Sequence, residues 1–313
     1  MSDDGYIPLK QRFKAWWHGN TLPDGAHCFD LDNVSNMDAD EINADKIKID
    51  QRLNGLDWTK GRIDAVQLVW GRGQVHAGGD ADLERIMKKG RIDPDTIVLD
   101  LTAGLGAASR FLPDQKDCGV MSVEAEEKLV AAARATFAME IDHYDPIAGG
   151  LSRKDWGTFA AVLSRNLMYT LDKTKTLNDL SNLLFPEAVL VISDFAIDPA
   201  FADHPAMQRW LSLEPVEPSP WTIEEYRDGL DRAKLDTAII ADETEVMTKI
   251  AKTAWNNCWN SLASEKMTRG IVDALAFEAE IWMHRLAAME SGGLRYVLVH
   301  GKSREKKIRK LTN

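Results

Sequence analysis

The chain is poor in cysteine. Cys28, Cys118 and Cys258 are far apart, odd in number and never in a CxxC pair. That spacing excludes a disulfide framework and a cysteine-based metal site, and it fits a reducing, cytoplasmic setting. No apolar run approaches the ~20 residues of a membrane span. The opening MSDDGYIPLK lacks the basic-then-apolar pattern of a secretory signal. Basic charge is also scarce: 38 Lys and Arg against 49 Asp and Glu leave a net charge of −11. A nucleic-acid partner is therefore not expected, because phosphate contacts need clustered cations. The one dense basic run, Lys302 to Lys310, reads as a solvated tail. HExxH, DxDxDG and CxxC do not occur, so no metal is expected.

What is present suits a globular enzyme. At 313 residues, 44% of them hydrophobic, the chain can bury a full core as one large domain or a core with an insertion. Residues 1–75 are polar and irregular in pattern and read as an N-terminal arm or lid, with FKAWWHG as a short helix within it. A short helix is expected from Asp80 to about Lys89, ended by Gly90 and the Asp93-Pro94 turn. From Thr96 the pattern alternates strand and helix. TIVLDL is a strand; GAASRFL opens a helix that Pro113 stops; CGVMSVE is a strand; Ala125 to Ile141 is a helix. Phe159 to Ser164 and Ala188 to Phe195 are further strands around the helical TKTLNDLSNLLF. Such alternation predicts an α/β fold over residues 76–200, a Rossmann-like, doubly wound, mostly parallel sheet.

After Asp198 the rhythm changes. Five prolines break the segment to Trp221, and Thr222 is the expected N-cap of an amphipathic helix. DTAIIADET reads as a strand, two long amphipathic helices follow, and LRYVLVHGKS is the last strand. Residues 201–290 are thus expected to be mostly helical, a cap over the sheet's carboxyl edge inserted before the final strand, with residues 291–313 as that strand and the basic tail.

Ligands of doubly wound folds bind outside the carboxyl ends of the strands, at the switch point. Asp100 ends the first predicted strand, and Gly104 and Gly106 let the backbone approach a ligand. A dinucleotide site would want GxGxxG; here Ser109 stands at the third glycine position and a carboxylate precedes the loop. Asp100 would repel a diphosphate and suits an ammonium. Glu124 ends the next strand, where a carboxylate accepts from both hydroxyls of a ribose. The pattern points to a zwitterion carrying a nucleoside.

VLDLTAGLGAASRFL with GVMSVEAEEKLVAAARA resembles the first two motifs of class I S-adenosylmethionine-dependent methyltransferases, with Thr102 in place of the first glycine of DxGxGxG. WGRGQVHAGGDADLERIM, the block from Val162 to Phe195, and WTIEEYRDGLDRAKLD resemble segments of the phosphoethanolamine and sarcosine/dimethylglycine N-methyltransferases. Asn166 stands where that group often has Asp, and LFPEA replaces its LKPGG turn. The resemblance implies S-adenosyl-L-methionine as cofactor and a small-molecule methyl acceptor, with an amine suggested. It implies Asp100, Thr102, Ala103, Gly104 and Gly106 around the methionine end, Glu124 on the ribose, and Ala125 and Asp145 at the adenine. Ser164 and Asn166 would lie near the sulfonium, and Gly78 and Gly79 would let the N-terminal loop close.

Direct displacement at a sulfonium needs alignment and exclusion of water more than a catalytic triad. A base is required only for a protonated nucleophile. Candidates are His76, Tyr169 and Asp194, with His143 and His204 behind them; none is decided by the sequence. Asp194 ends the strand in ISDF and suits an amine, while Trp70, Tyr169, Trp210 and Trp221 are candidates for the acceptor wall. Trp255, Trp259 and Trp282 recur at helical spacing and are expected to pack cap against core. O- or C-methylation of a metabolite remains an alternative, as does a cofactor-binding protein with little or no turnover. The oligomeric state does not follow.

Overall fold

The computed structural model describes residues 57–88, 92–144, 151, 156–262 and 267–304. FKAWWHG and Asp145 lie outside them. Seven strands form one sheet in the order β3-β2-β1-β4-β5-β7-β6. They are β1 Ile97–Asp100, β2 Gly119–Glu124, β3 Asp142–His143, β4 Phe159–Arg165, β5 Leu184–Ile197, β6 Leu235–Asp242 and β7 Leu294–Ser303. β1 to β5 run parallel, whereas β7 runs antiparallel to both of its neighbours. The strand order reverses between β1 and β4, which opens the switch-point crevice at their carboxyl ends.

Nine helices surround this sheet among the described residues: α1 Lys60–Trp70, α2 Gly79–Met87, α3 Ala107–Lys116, α4 Glu127–Phe137, α5 Lys173–Asn182, α6 Pro205–Leu213, α7 Ile223–Arg232, α8 Thr244–Ser261 and α9 Arg269–Glu290. The strands alternate faces, as period-two geometry requires. Leu99, Val162, Leu190 and Ile192 meet α5 and α7 through Leu177, Leu180, Tyr226 and Leu230. Val98, Leu163, Val191 and Leu298 meet α2 and α3 through Leu83, Ile86, Ala108 and Leu112.

A separate cluster joins α1, α6, α8 and α9 over Phe195 and Tyr296, which lie where β5 ends and β7 begins. The two long helices between β6 and β7 therefore stand at the carboxyl edge. Thr222 caps α7 in a reciprocal capping box with Glu225.

Several boundaries differ from expectation. Pro113 does not stop α3, which runs on to Lys116. β5 begins at Leu184, so LFPEA lies inside a strand: Phe159 pairs with Leu184 but Ala161 with Val189, and the extra residues bulge out with Glu187 at φ 67. α4 ends at Phe137 because Ala138 adopts the left-handed conformation. The sequence reading also missed α1. Its signals were the Thr59 cap and the buried stripe Ala65, Val66, Val69 and Trp70.

Trp210 on α6 is wholly buried, and its indole Nε1 donates to Glu214 Oε2 at 2.7 Å. Trp210→Ala is expected to lower the unfolding free energy by about 3–5 kcal/mol. Ile97→Ala, at a half-exposed position, should stay within about 0.5 kcal/mol. Urea titration checks both.

Candidate cofactor-binding and active site

The loop after β1 is held by its own backbone. Ala103 N donates to Val123 O at 3.1 Å, and Gly106 N to Ala103 O at 2.8 Å. Gly104 and Gly106 have φ of 56 and 80. A Cβ on Gly104 would run into Val75 Cγ2, and one on Gly106 would come within 2.9 Å of Met139 Cγ. The glycines are thus needed for close approach of protein as well as of any ligand.

The protein that approaches is the segment between α1 and α2. It folds back through Gly78 (φ 87) and Gly79 (φ 60), where a Cβ on Gly79 would lie 2.9 Å from Trp70 O. Arg110 clamps this strap to the loop, donating from Nη1 to Leu105 O at 2.6 Å and from Nη2 to Gly73 O at 2.9 Å. His76 lies over the turn, its Nε2 2.7 Å from Thr102 O. A carbonyl only accepts, so Nε2 carries the proton and Nδ1 keeps the lone pair. Burial, and then the Arg165 cation, push the His76 pKa well below its usual value, so the ring is neutral near pH 7.

Asp100 is completely buried. Its Oδ1 accepts from Thr102 N at 3.1 Å and from Thr102 Oγ1 at 3.4 Å. The same Thr102 hydroxyl accepts from Arg165 N at 3.1 Å. The threonine at the usual glycine position therefore joins the ends of β1 and β4. Asp100 Oδ2 lies 3.7 Å from Arg165 Nη2 and has no hydrogen-bond partner among the described residues. Burial raises the Asp100 pKa, with Arg165 opposing.

Glu124, at the end of β2, leans over the same turn. Its Oε2 accepts from Gly104 N at 2.7 Å and its Oε1 from Glu126 N at 3.0 Å. Burial nevertheless pushes its pKa up to about 7, because the two backbone donors only partly offset desolvation. Ala125 follows directly, and its carbonyl accepts from His143 Nε2 at 2.9 Å. His143 is exposed on the short β3.

At the end of β4, Asn166 takes a left-handed turn at φ 51, and its N–H donates to Ser193 O at 2.8 Å. Asn166 Oδ1, Ser164 Oγ and the Arg165 Nε and Nη2 atoms are buried without a hydrogen-bond partner among the described residues. Such groups cost about 1–3 kcal/mol each, and several at one strand edge signal a place where a polar ligand completes them. Sequence reasoning did not pick out Arg165 or Ser193. The available signal was a cation at the end of an otherwise apolar strand.

The residues expected at the acceptor side are placed differently. Asp194 is completely buried, with both oxygens taken: Oδ1 by Phe195 N at 2.8 Å, Oδ2 by Tyr169 N at 2.7 Å and by Tyr226 OH at 3.3 Å. It ties β5 to the turn after β4 and to α7. Tyr169 OH donates to Glu214 Oε1 at 3.1 Å, in a buried knot where Glu214 also holds Arg285 and Trp210. Burial and the Glu214 carboxylate push the Tyr169 pKa well above its usual value, so it is a poor base.

Trp70 is packed on Trp282 and Trp255, with ring centroids 4.9 and 6.3 Å apart. Trp221 packs on α7 and faces the Lys173 ammonium at 5.4 Å. His204 caps α6, its Nδ1 accepting from Ala206 N at 3.2 Å. The structure thus brings Asp100, Thr102, Gly104, Glu124, Ser164, Asn166 and His76 to one edge. It ties Trp70, Tyr169, Asp194 and Trp221 into packing around that edge.

No protein-family model and no curated protein matches the chain. Solved structures do. A phosphoethanolamine N-methyltransferase 2 of Haemonchus contortus, in complex with S-adenosyl-L-methionine, superposes with a TM-score of 0.65 at 14% identity. The match covers 82% of this chain and 60% of that one. A Galdieria sulphuraria protein assigned as a sarcosine dimethylglycine methyltransferase gives 0.62 at 15% identity, over 78% of this chain and 98% of its own. The fold is that of class I methyltransferases. The [4+2]-cyclase SpnF also matches, with a TM-score of 0.58 at 12% identity over 78% and 94% of the two chains, so the fold carries more than one chemistry.

Asp194 and Glu124 are both held near 7 by burial, above their ordinary values of 3.8 and 4.5. A folded pKa above the unfolded one means that the native chain keeps the proton longer. The resulting stability is complete below the unfolded pKa and is lost as pH rises through about 7. The stability of wild type minus that of Asp194→Asn should therefore fall between about pH 4 and 7, by up to about 1.4 kcal/mol per pH unit, and level off above. Urea unfolding at several pH values reads this out, and a constant difference would refute it.

Proposed function

We propose that the chain is a cytoplasmic S-adenosylmethionine-dependent methyltransferase acting on a small molecule, with an amine as the suggested acceptor. The observation that carries this reading is the pairing of two buried carboxylates across one glycine turn. Glu124 accepts from Gly104 N and retains lone pairs for a diol, while Asp100 keeps an unpartnered oxygen for an ammonium. Bound S-adenosylmethionine supplies an already activated methyl group.

The chain's own residues then bind, align and shield. Gly104 and Gly106 shape the turn, Glu124 holds the ribose hydroxyls, and Asp100 faces the methionine amine. Ser164 and Asn166 supply buried polar atoms at the edge where the acceptor enters, and α8 and α9 help exclude water. Burial and the Arg165 cation make His76 a weak proton acceptor, so in this reading it covers the turn and is not the base. In this reading residues 1–75 are an arm over the site, 76–200 the cofactor core, 201–290 the cap with late core elements, and 291–313 the last strand and tail. The acceptor atom stays open between nitrogen, oxygen and carbon.

Among the described residues no helix is long and apolar enough to cross a membrane. A second reading, cofactor binding with little or no methyl transfer, is kept open because the fold is shared with a cyclase. A metabolite screen for S-adenosylhomocysteine formation separates the two readings.

Isothermal titration with S-adenosylmethionine and NAD tests the cofactor class. S-adenosylmethionine should bind, and Asp100→Ala and Glu124→Ala should each weaken it by about tenfold or more. NAD binding alone would overturn the reading.

A proton linkage is also expected. Ribose hydroxyls donate to the ionised form of Glu124, whose pKa is about 7 in the free protein. Binding should therefore release a proton at pH 6, and affinity should rise about tenfold from pH 6 to pH 8. Titration in buffers of different ionisation enthalpy counts the proton, and Glu124→Gln should abolish the release.

A further inference from the structure

We propose that α1 is a gate shared by the cofactor turn and the cap, so that the cofactor enters and leaves only when α1 shifts together with the cap. This inference rests on the methyltransferase reading and adds a control of ligand exchange to it.

The turn after β1 is sealed from solvent. Asp100, Ala103 and Leu105 are at most 2% exposed and Glu124 8%. A ligand cannot pass close-packed side chains, so whatever covers the turn must move. Ile63 of α1 covers it, packed in one cluster with Ala103, Leu105 and Val130. The same helix turns the rest of its buried stripe to the cap, where Ala65, Val66 and Trp70 are buried with Ala279, Trp282 and Leu286 of α9. Trp58 and Val75, on either side of α1 in the chain, pack against both clusters. The turn and the cap thus share one helix as their common wall.

The seam between α1 and α9 is the tighter of the two. The backbones cross so closely that a Cβ on Gly61 would lie 2.8 Å from Gly270 C and O. Arg62 Nε donates to Glu278 Oε1 at 2.7 Å, and its guanidinium lies over the Phe277 ring at 5.1 Å. The Trp70 and Trp282 rings meet at 4.9 Å. On the side of the turn the polar hold is lighter. His76 Nε2 bonds to Thr102 O and Arg110 Nη2 to Gly73 O, while Arg72 and Arg110 share the Phe137 ring. A helix held by a packed, ion-paired seam on one side and by a few bonds to carbonyls on the other parts from the weaker side. α1 therefore lifts from the turn with α9, and loosening its seam with α9 frees it to lift alone.

Stopped-flow tryptophan fluorescence with S-adenosylmethionine tests the gate through both rates. Arg62→Met should raise association and dissociation alike, by about fivefold or more, with Kd within about twofold, because it loosens the gate and touches no ligand contact. Gly61→Ala, which pushes α1 off Gly270 without leaving Glu278 buried and unpaired, should act in the same direction and serves if Arg62→Met does not fold. Hydrogen exchange of the wild type gives a second readout. Bound S-adenosylmethionine should slow exchange over residues 271–286 of α9 as well as over 71–78 of the strap, since one opening exposes both. Wild-type rates in both variants, a rise in dissociation alone with a matching loss of affinity, or protection confined to the strap would each overturn the proposal. Failure of the wild type to bind S-adenosylmethionine would instead remove the methyltransferase reading on which it stands.

Discussion

A carboxylate buried at the end of β1 is the constraint on which the carboxyl edge depends. Asp100 has no contact with water, and burial works against its charge. The chain answers with two neighbours, the Thr102 hydroxyl and the Arg165 guanidinium, both of which require β1 and β4 to end level. Thr102 enforces this, since one hydroxyl donates to Asp100 and accepts from the Arg165 backbone. A glycine at position 102 would give the loop more freedom and would leave the strand ends joined by backbone pairing alone. The turn that follows, with Gly104 under Glu124, inherits its position from that junction.

The layers above the turn are fixed by packing of another kind. Val75 fills the space that a side chain at position 104 would need, so the strap between α1 and α2 closes on the loop by shape. Behind it the cap is anchored through Glu214, a carboxylate whose burial is compensated by Tyr169, Trp210 and Arg285 together. This knot joins α6 and α9 to the turn after β4. Breaking one member of such a network leaves the others buried and unpaired, which costs more than the single bond lost. The cap therefore holds its position over the strand ends.

Much of this was legible in the sequence, and the limits are physical. Strand–helix alternation from Thr96, the acidic residue before two glycines, and Glu124 a strand later are local patterns that leave little freedom, and a doubly wound, mostly parallel sheet is legible from them. Boundaries set by tertiary contacts were not legible. Pro113 is tolerated inside α3, and LFPEA is drawn into β5 as a bulge because β4 offers a pairing edge. The stripe of α1 was readable but is short and flanked by glycines. Arg165 was overlooked because a cation inside a strand pattern looks like a strand end, and only the register with β1 shows what it faces.

The acceptor side illustrates why strand-ending carboxylates cannot be ranked from sequence. Asp100 and Asp194 both follow an apolar run, both end or nearly end a strand, and both are completely buried. Their surroundings separate them. Three protein donors occupy the oxygens of Asp194, so its ionised form is already served within the fold. Asp100 has one oxygen served by Thr102 and one served by nothing. A buried polar atom without a partner is expensive, and a fold keeps one where a ligand repays the cost in the bound state. By that criterion the candidate edge runs from Asp100 and Arg165 to Ser164 and Asn166 and stops short of Asp194, while Glu124, whose oxygens both accept from backbone N–H groups, is marked by its place over the glycine turn instead.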